Sequence, residues 1–131
     1  MKTEDLAREV LSKLTDEGRT LATAESCTGG LLGKLLTDVP GASNAYKGGV
    51  ISYVNEVKHR LLGVEQETLD ICTAVSRETA HEMAKGAREA VKADVGVSTT
   101  GLAGPDGDGT GRQVGLVYIA LDMEGFSYCR E

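Results

Sequence analysis

The stretch TLATAESCTGG, residues 20–30, runs from a short apolar strand pattern through Glu25, Ser26, Cys27 and Thr28 into a glycine pair. TGGLLGKLLTDV (28–39) follows, with Leu31, Leu32, Leu35, Leu36 and Val39 on one helical face. A buried strand feeding an amphipathic helix is the building unit of an α/β sheet. The polar residues at the junction stand where a helix N-terminus leaves backbone N–H groups unpaired. They read equally as a helix cap, an anion site or the seat of a nucleophile, and the stretch by itself leaves Ser26 and Cys27 both open.

The alternation extends in both directions. TEDLAREVLSKLTDEG (3–18) reads as a helix capped by Thr3, with Leu6, Val10, Leu11 and Leu14 on one face and Gly18 as its stop. After the turn PGASN (40–44), AYKGGVISYV (45–54) reads as a strand in which Gly48 and Gly49 mark a bulge or a close backbone approach. Asn55 is placed to cap a short helix through Leu62, ended by Gly63, and residues 65–72 suit one more helical turn. Ser76 caps a longer helix whose Ala80, Met83, Ala84, Ala87 and Val91 form a smooth face for close packing on a sheet. DVGVSTT (94–100) is a strand, GLAGPDGDGTGRQ (101–113) a polar, glycine-dense loop, and VGLVYIALD (114–122) the clearest strand. FSYCRE (126–131) pairs with it antiparallel across the tight MEG turn. The predicted fold is a three-layer α/β/α sandwich with a mixed, mostly parallel sheet of about five strands, in one domain spanning residues 1–131.

Composition narrows the function classes. With 40% hydrophobic and 26% charged residues the 131-residue chain reads as a soluble globular domain. Its net charge of -6 argues against nucleic acid and anionic membranes as partners, while a small anionic ligand held by backbone N–H groups stays compatible. Three cysteines, Cys27, Cys72 and Cys129, lie far apart without metal-ligand spacing, which suits reduced thiols in the cytoplasm. The charged N-terminus has no signal-peptide core, and no apolar run reaches the roughly 20 residues that span a bilayer. No tryptophan and one phenylalanine argue against a stacking platform for single strands.

Parallel strands would bring three loops to one edge of the sheet: ESCTGG, SYVNEVK and TTGLAGPDGDGTG. A serine hydroxyl there needs a base. His59 and His81 sit within helix patterns and read as ordinary surface or half-buried residues. Lys58, five positions after Tyr53 and just past a strand end, is a base if it is buried enough to lose its charge. By spacing alone it reads better as a solvated helix charge. The third loop matches no nucleotide-binding motif, and Asp106 and Asp108 read as turn formers.

Four segments in order, AESCTGGLLGKLLTDVPGAS, YKGGVISYVNEVKHRLLGV, AVSRETAHEMAKGA and STTGLAGPDGDGTGRQVGLVYIAL, resemble the C-terminal domain of the competence-damage-inducible CinA family, from Thr20 to Leu121. The resemblance implies an amidohydrolase that converts nicotinamide mononucleotide to nicotinate mononucleotide and ammonia. It implies Ser26 as nucleophile and Lys58 with Tyr53 as the groups that activate it. Cys27 is left to packing. Thr28, Gly29, Gly30, Thr100, Gly101 and Arg130 are the implied substrate-binding positions, with backbone N–H groups around Thr28 to Gly30 as oxyanion donors. No metal or cofactor is implied, and the expected partner is the small-molecule substrate, with a homo-oligomer as the assembly. Three departures from the family pattern stand out. Thr73 occupies a position that is usually glycine. Tyr128 and Cys129 replace a Gly-Asp pair before Arg130. The family's last helix is expected to be missing. A non-catalytic module binding a pyridine nucleotide or small phosphate compound is the alternative reading, and a hydrolase using Cys27 is a third.

Overall fold

Ala22 and Ala24 turn to one face of a sheet and Leu21 to the other, so a five-residue strand with every residue buried feeds two separate cores. This strand, β1 (Leu21–Glu25), is the second of five in a computed structural model that describes all of Met1–Glu131. The remaining strands are β2 (Tyr46–Ile51), β3 (Val95–Gly101), β4 (Val117–Met123) and β5 (Phe126–Arg130), in the spatial order β2-β1-β3-β4-β5. β2, β1 and β3 are parallel, whereas β4 and β5 add an antiparallel hairpin. The mixed sheet is the one that the sequence pattern predicts.

Helices cover both faces. α1 (Thr3–Asp16) and α2 (Leu31–Thr37) build one core, in which Ala7, Leu11, Leu36 and Val39 meet Leu21 and Val95. α3 (Asn55–Leu62), α4 (Gln66–Ile71) and α5 (Arg77–Val91) build the other, in which Leu62, Val64, Leu69, Met83 and Ala87 meet Ala22 and Ala24. The small-residue face of α5 does what its composition predicts. A Cβ on Gly86 would lie 1.9 Å from Leu62 O, and one on Gly96 of β3 would lie 2.0 Å from Ala84 O.

Local details correct the sequence reading. The N-cap of α1 is Lys2, with Thr3 as the first helical residue, and Val54 rather than Asn55 caps α3. Ser76 does cap α5, accepting from Thr79 N. Only part of the predicted α1 face is buried: Leu11 and Ala7 enter the core, while Leu6 and Val10 stay exposed. Likewise Leu31 is exposed and Leu36 carries the burial of α2. The bulge suggested by Gly48 and Gly49 is real, since the β1–β2 register shifts between Leu21 and Ala22.

Candidate active site

The parallel order sets Glu25 beside Ile51 on one side and Thr99 on the other, so the ends of β1, β2 and β3 lie side by side. The three loops that follow these strands meet at a cavity of about 290 Å³ lined by residues from each of them, among them Ser26, Cys27, Tyr53, Lys58, Thr100 and Asp106.

Lys58 forms its floor. It is 1% exposed, which overturns the reading of a solvated helix charge. The first turn of α3 directs it inward, where Nζ donates to Ser52 O at 2.8 Å, to Tyr53 O at 3.1 Å and to Ser26 Oγ at 3.0 Å. No carboxylate pairs with it, and burial holds its pKa below the ordinary lysine range. When the amine is neutral it keeps two N–H groups, enough for the two carbonyls. Its lone pair is then left facing the Ser26 hydroxyl, the arrangement a general base requires.

The turn that carries Ser26 is held by Glu25, a buried residue whose role the sequence reading missed. Its carboxylate accepts from Gly30 N at 3.1 Å, Leu32 N at 2.9 Å and Gly33 N at 2.9 Å. It also accepts from Thr28 Oγ1 at 2.6 Å, and that hydroxyl meets Thr99 Oγ1 at 2.7 Å. The helix terminus is thereby capped by a residue that precedes the turn. A carboxylate caps best against the positive end of a helix, but one placed before a five-residue loop fits no local capping pattern.

This capping corrects the expected oxyanion donors. Gly29 N donates to Ser26 O and Gly30 N to Glu25, so neither is available. The N–H groups of Cys27 and Thr28 meet no backbone or side-chain oxygen of the protein. They lie near the Cys27 sulfur, where they draw its pKa downward against burial, which is larger and leaves the thiol above its ordinary value. Cys27 is therefore a poor thiolate source at neutral pH.

The other sequence-predicted residues divide. Tyr53 lines the cavity but is 71% exposed, and Lys58 reaches Ser26 directly without it. Thr100 and Gly101 line the cavity, though the Thr100 hydroxyl is spent on Ala74 O at 2.7 Å. The side chain of Thr28 is engaged by Glu25, and Arg130 lies on the edge strand β5, outside the cavity lining. His59 bonds Val64 O through Nδ1, and neither it nor His81 lines the cavity. Asp108 forms the expected turn by accepting from Thr110 N, yet both Asp106 and Asp108 also face the cavity, which turn chemistry alone does not announce. No cluster of His, Cys, Asp and Glu able to hold a metal ion occurs, and no helix is long and apolar enough to cross a membrane.

The profile of the CinA C-terminal domain matches residues 3–131. A protein of Caldanaerobacter subterraneus carried under the name competence-damage inducible protein is 50% identical over 128 residues, 98% of this chain and 31% of the relative. A CinA-like protein of Leptospira borgpetersenii is 51% identical over 122 residues, 93% of this chain and 29% of the relative. The chain thus spans about three tenths of the curated relatives it matches. Among solved structures, the competence/damage inducible protein CihA of Agrobacterium tumefaciens superposes with a TM-score of 0.93 at 41% identity, covering 98% of this chain and 78% of its own. A CinA superfamily protein of Enterobacter cloacae superposes with a TM-score of 0.96 at 37% identity, covering 99% and 77%.

Proposed function

Because the chain belongs to the CinA C-terminal domain family, we propose that it is a metal-independent serine amidohydrolase that deamidates nicotinamide mononucleotide. The observation that carries this reading is the buried Lys58 Nζ at 3.0 Å from Ser26 Oγ, without a carboxylate to keep it charged.

Ser26 Oγ attacks the carboxamide carbon while its proton passes to neutral Lys58. The N–H groups of Cys27 and Thr28 receive the oxyanion of the tetrahedral intermediate. Lys58 returns the proton to the nitrogen, the C–N bond breaks, and ammonia leaves a nicotinoyl ester on Ser26. Lys58 then takes a proton from water, the hydroxide attacks the ester, and Ser26 recovers its proton as nicotinate mononucleotide departs. The geometry supports a direct lysine–serine transfer over a relay through Tyr53.

The test is ammonia release from nicotinamide mononucleotide by the purified protein and by Ser26→Ala. Release by the intact chain alone supports the reading. Equal release by both sinks it, and tight binding without turnover selects a non-catalytic pyridine-nucleotide module instead.

A further inference from the structure

Three consecutive hydroxyls near the end of β3 go to different places. Ser98 Oγ donates to Ala80 O and Thr100 Oγ1 to Ala74 O, so both tie the sheet to α5 and the segment before it. Thr99, between them, belongs to the opposite face of the strand and meets the Ser26 turn. It is buried. The direction of its hydrogen bond follows from the protons present. Thr28 Oγ1 carries one, and it goes to Glu25 Oε1 at 2.6 Å. Thr99 Oγ1, 2.7 Å from Thr28 Oγ1, is therefore the donor in that contact. The main chain of Thr99 holds the same turn, because its carbonyl accepts from Ser26 N at 3.0 Å. Thr99 thus grips the turn on both sides of Cys27, at the Ser26 amide and at the Thr28 side chain. Gly29 N closes on Ser26 O and Gly30 N on Glu25, which leaves the N–H groups of Cys27 and Thr28 free between the two anchors.

We propose that Thr99 is the positioning residue of the oxyanion donors: its hydroxyl fixes Thr28, so that the free N–H groups of Cys27 and Thr28 keep their aim as charge develops beside Ser26. This rests on the amidase reading above and gives a task within it to a side chain that touches neither the substrate nor Ser26 Oγ. Donors of this kind act because they are already oriented and need not turn as the reaction proceeds. The task requires a donor at position 99. Valine there keeps the branched shape that suits a strand but has no proton to give, whereas serine keeps the proton.

The test reads the turn with a reagent that needs no amide. A fluorophosphonate modifies Ser26 as Oγ bonds to phosphorus, fluoride leaves and the hydroxyl proton passes to Lys58, while the phosphonyl oxygen takes up charge at the same donors. The mass of the intact protein follows the rate. Loss of a whole oxyanion donor costs about 10²–10³-fold, so Thr99→Val, which loosens the donors without removing them, lowers the labelling rate about tenfold. Thr99→Ser keeps it within about twofold of the parent, and the pH limb of labelling set by Lys58 stays in place in both variants. In ammonia release, Thr99→Val lowers kcat by a similar factor and leaves KM within about twofold. Labelling of Thr99→Val as fast as the parent, no recovery with Thr99→Ser, a displaced pH limb, or an intact protein that does not label at Ser26 overturns the inference. Slow labelling of Thr99→Val beside an intact protein that labels but releases no ammonia sinks the amidase reading and leaves the positioning role standing.

Discussion

Lys58 Nζ stands 3.0 Å from Ser26 Oγ across 32 positions of sequence, and two main-chain carbonyls at its back fix which way the amine faces. The contact exists because β1 and β2 are parallel neighbours whose ends place the Ser26 turn beside the start of α3. If this pair performs the chemistry, Ser26→Ala and Lys58→Met each lower kcat for deamidation by about 10³-fold or more. Cys27→Ala keeps most of the rate, since it leaves the N–H of residue 27 in place. Steady-state ammonia release on the three variants decides, and loss on Cys27→Ala alone transfers the nucleophile to the thiol.

Burial lowers the Lys58 pKa, which sets the sign of the pH dependence. The base is active when neutral, so kcat/KM rises with pH through the depressed value and levels off below the ordinary lysine pKa of about 10.4. Between those two values the unfolded chain binds the extra proton and the folded chain does not. Unfolding free energy therefore increases with pH across the same window. Lys58→Met removes that slope. An activity limb centred at the ordinary lysine value contradicts the assignment.

Glu25 holds the turn through three backbone N–H groups and the Thr28 hydroxyl. Glu25→Gln turns one acceptor oxygen into a donor facing those N–H groups and costs about 3 kcal/mol. Urea denaturation is expected to show a lower midpoint with an unchanged slope. A change under about 0.5 kcal/mol means the carboxylate is replaceable by solvent.

Thr73 adopts a φ of 68° and buries a hydroxyl that has no partner. A β-branched residue is strained in the left-handed region. Thr73→Gly removes both defects, offset in part by the greater freedom of glycine in the unfolded chain. The net gain is about 1 kcal/mol, or about 3–5 °C in Tm by calorimetry. A lower Tm contradicts the strain.

Gly86 is where α5 lies against the end of α3, and an added Cβ would collide with the Leu62 carbonyl. Backbone cannot yield as a side-chain tip does, so Gly86→Ala costs about 3 kcal/mol or more. Denaturation of the variant measures it, and a neutral result shows that the two helices can separate.

Strand and helix periods in the chain identify the elements. The apolar run at 21–25, the small-residue face of α5 and the hairpin around Glu124 and Gly125 all stand as their local pattern predicts. Caps were less legible. Thr3 and Asn55 have capping chemistry but sit one position inside their helices, and the residue that caps α2, Glu25, lies within a strand. Local rules fail there because the partner of each N–H is chosen by where the chain returns in space.

Sequence alone determined the elements, their α/β alternation, and through the CinA resemblance the pairing of Ser26 with Lys58, since each depends on residue type and order. Only the tertiary structure decided that Lys58 is a buried amine, that Glu25 consumes the helix terminus, and that Cys27 and Thr28 keep the free N–H groups. The physical reason is that charge state and donor availability depend on burial and on partners distant in sequence. The AESCTGG stretch does not encode whether its N–H groups face a ligand or a carboxylate until β1, β2 and β3 are set side by side.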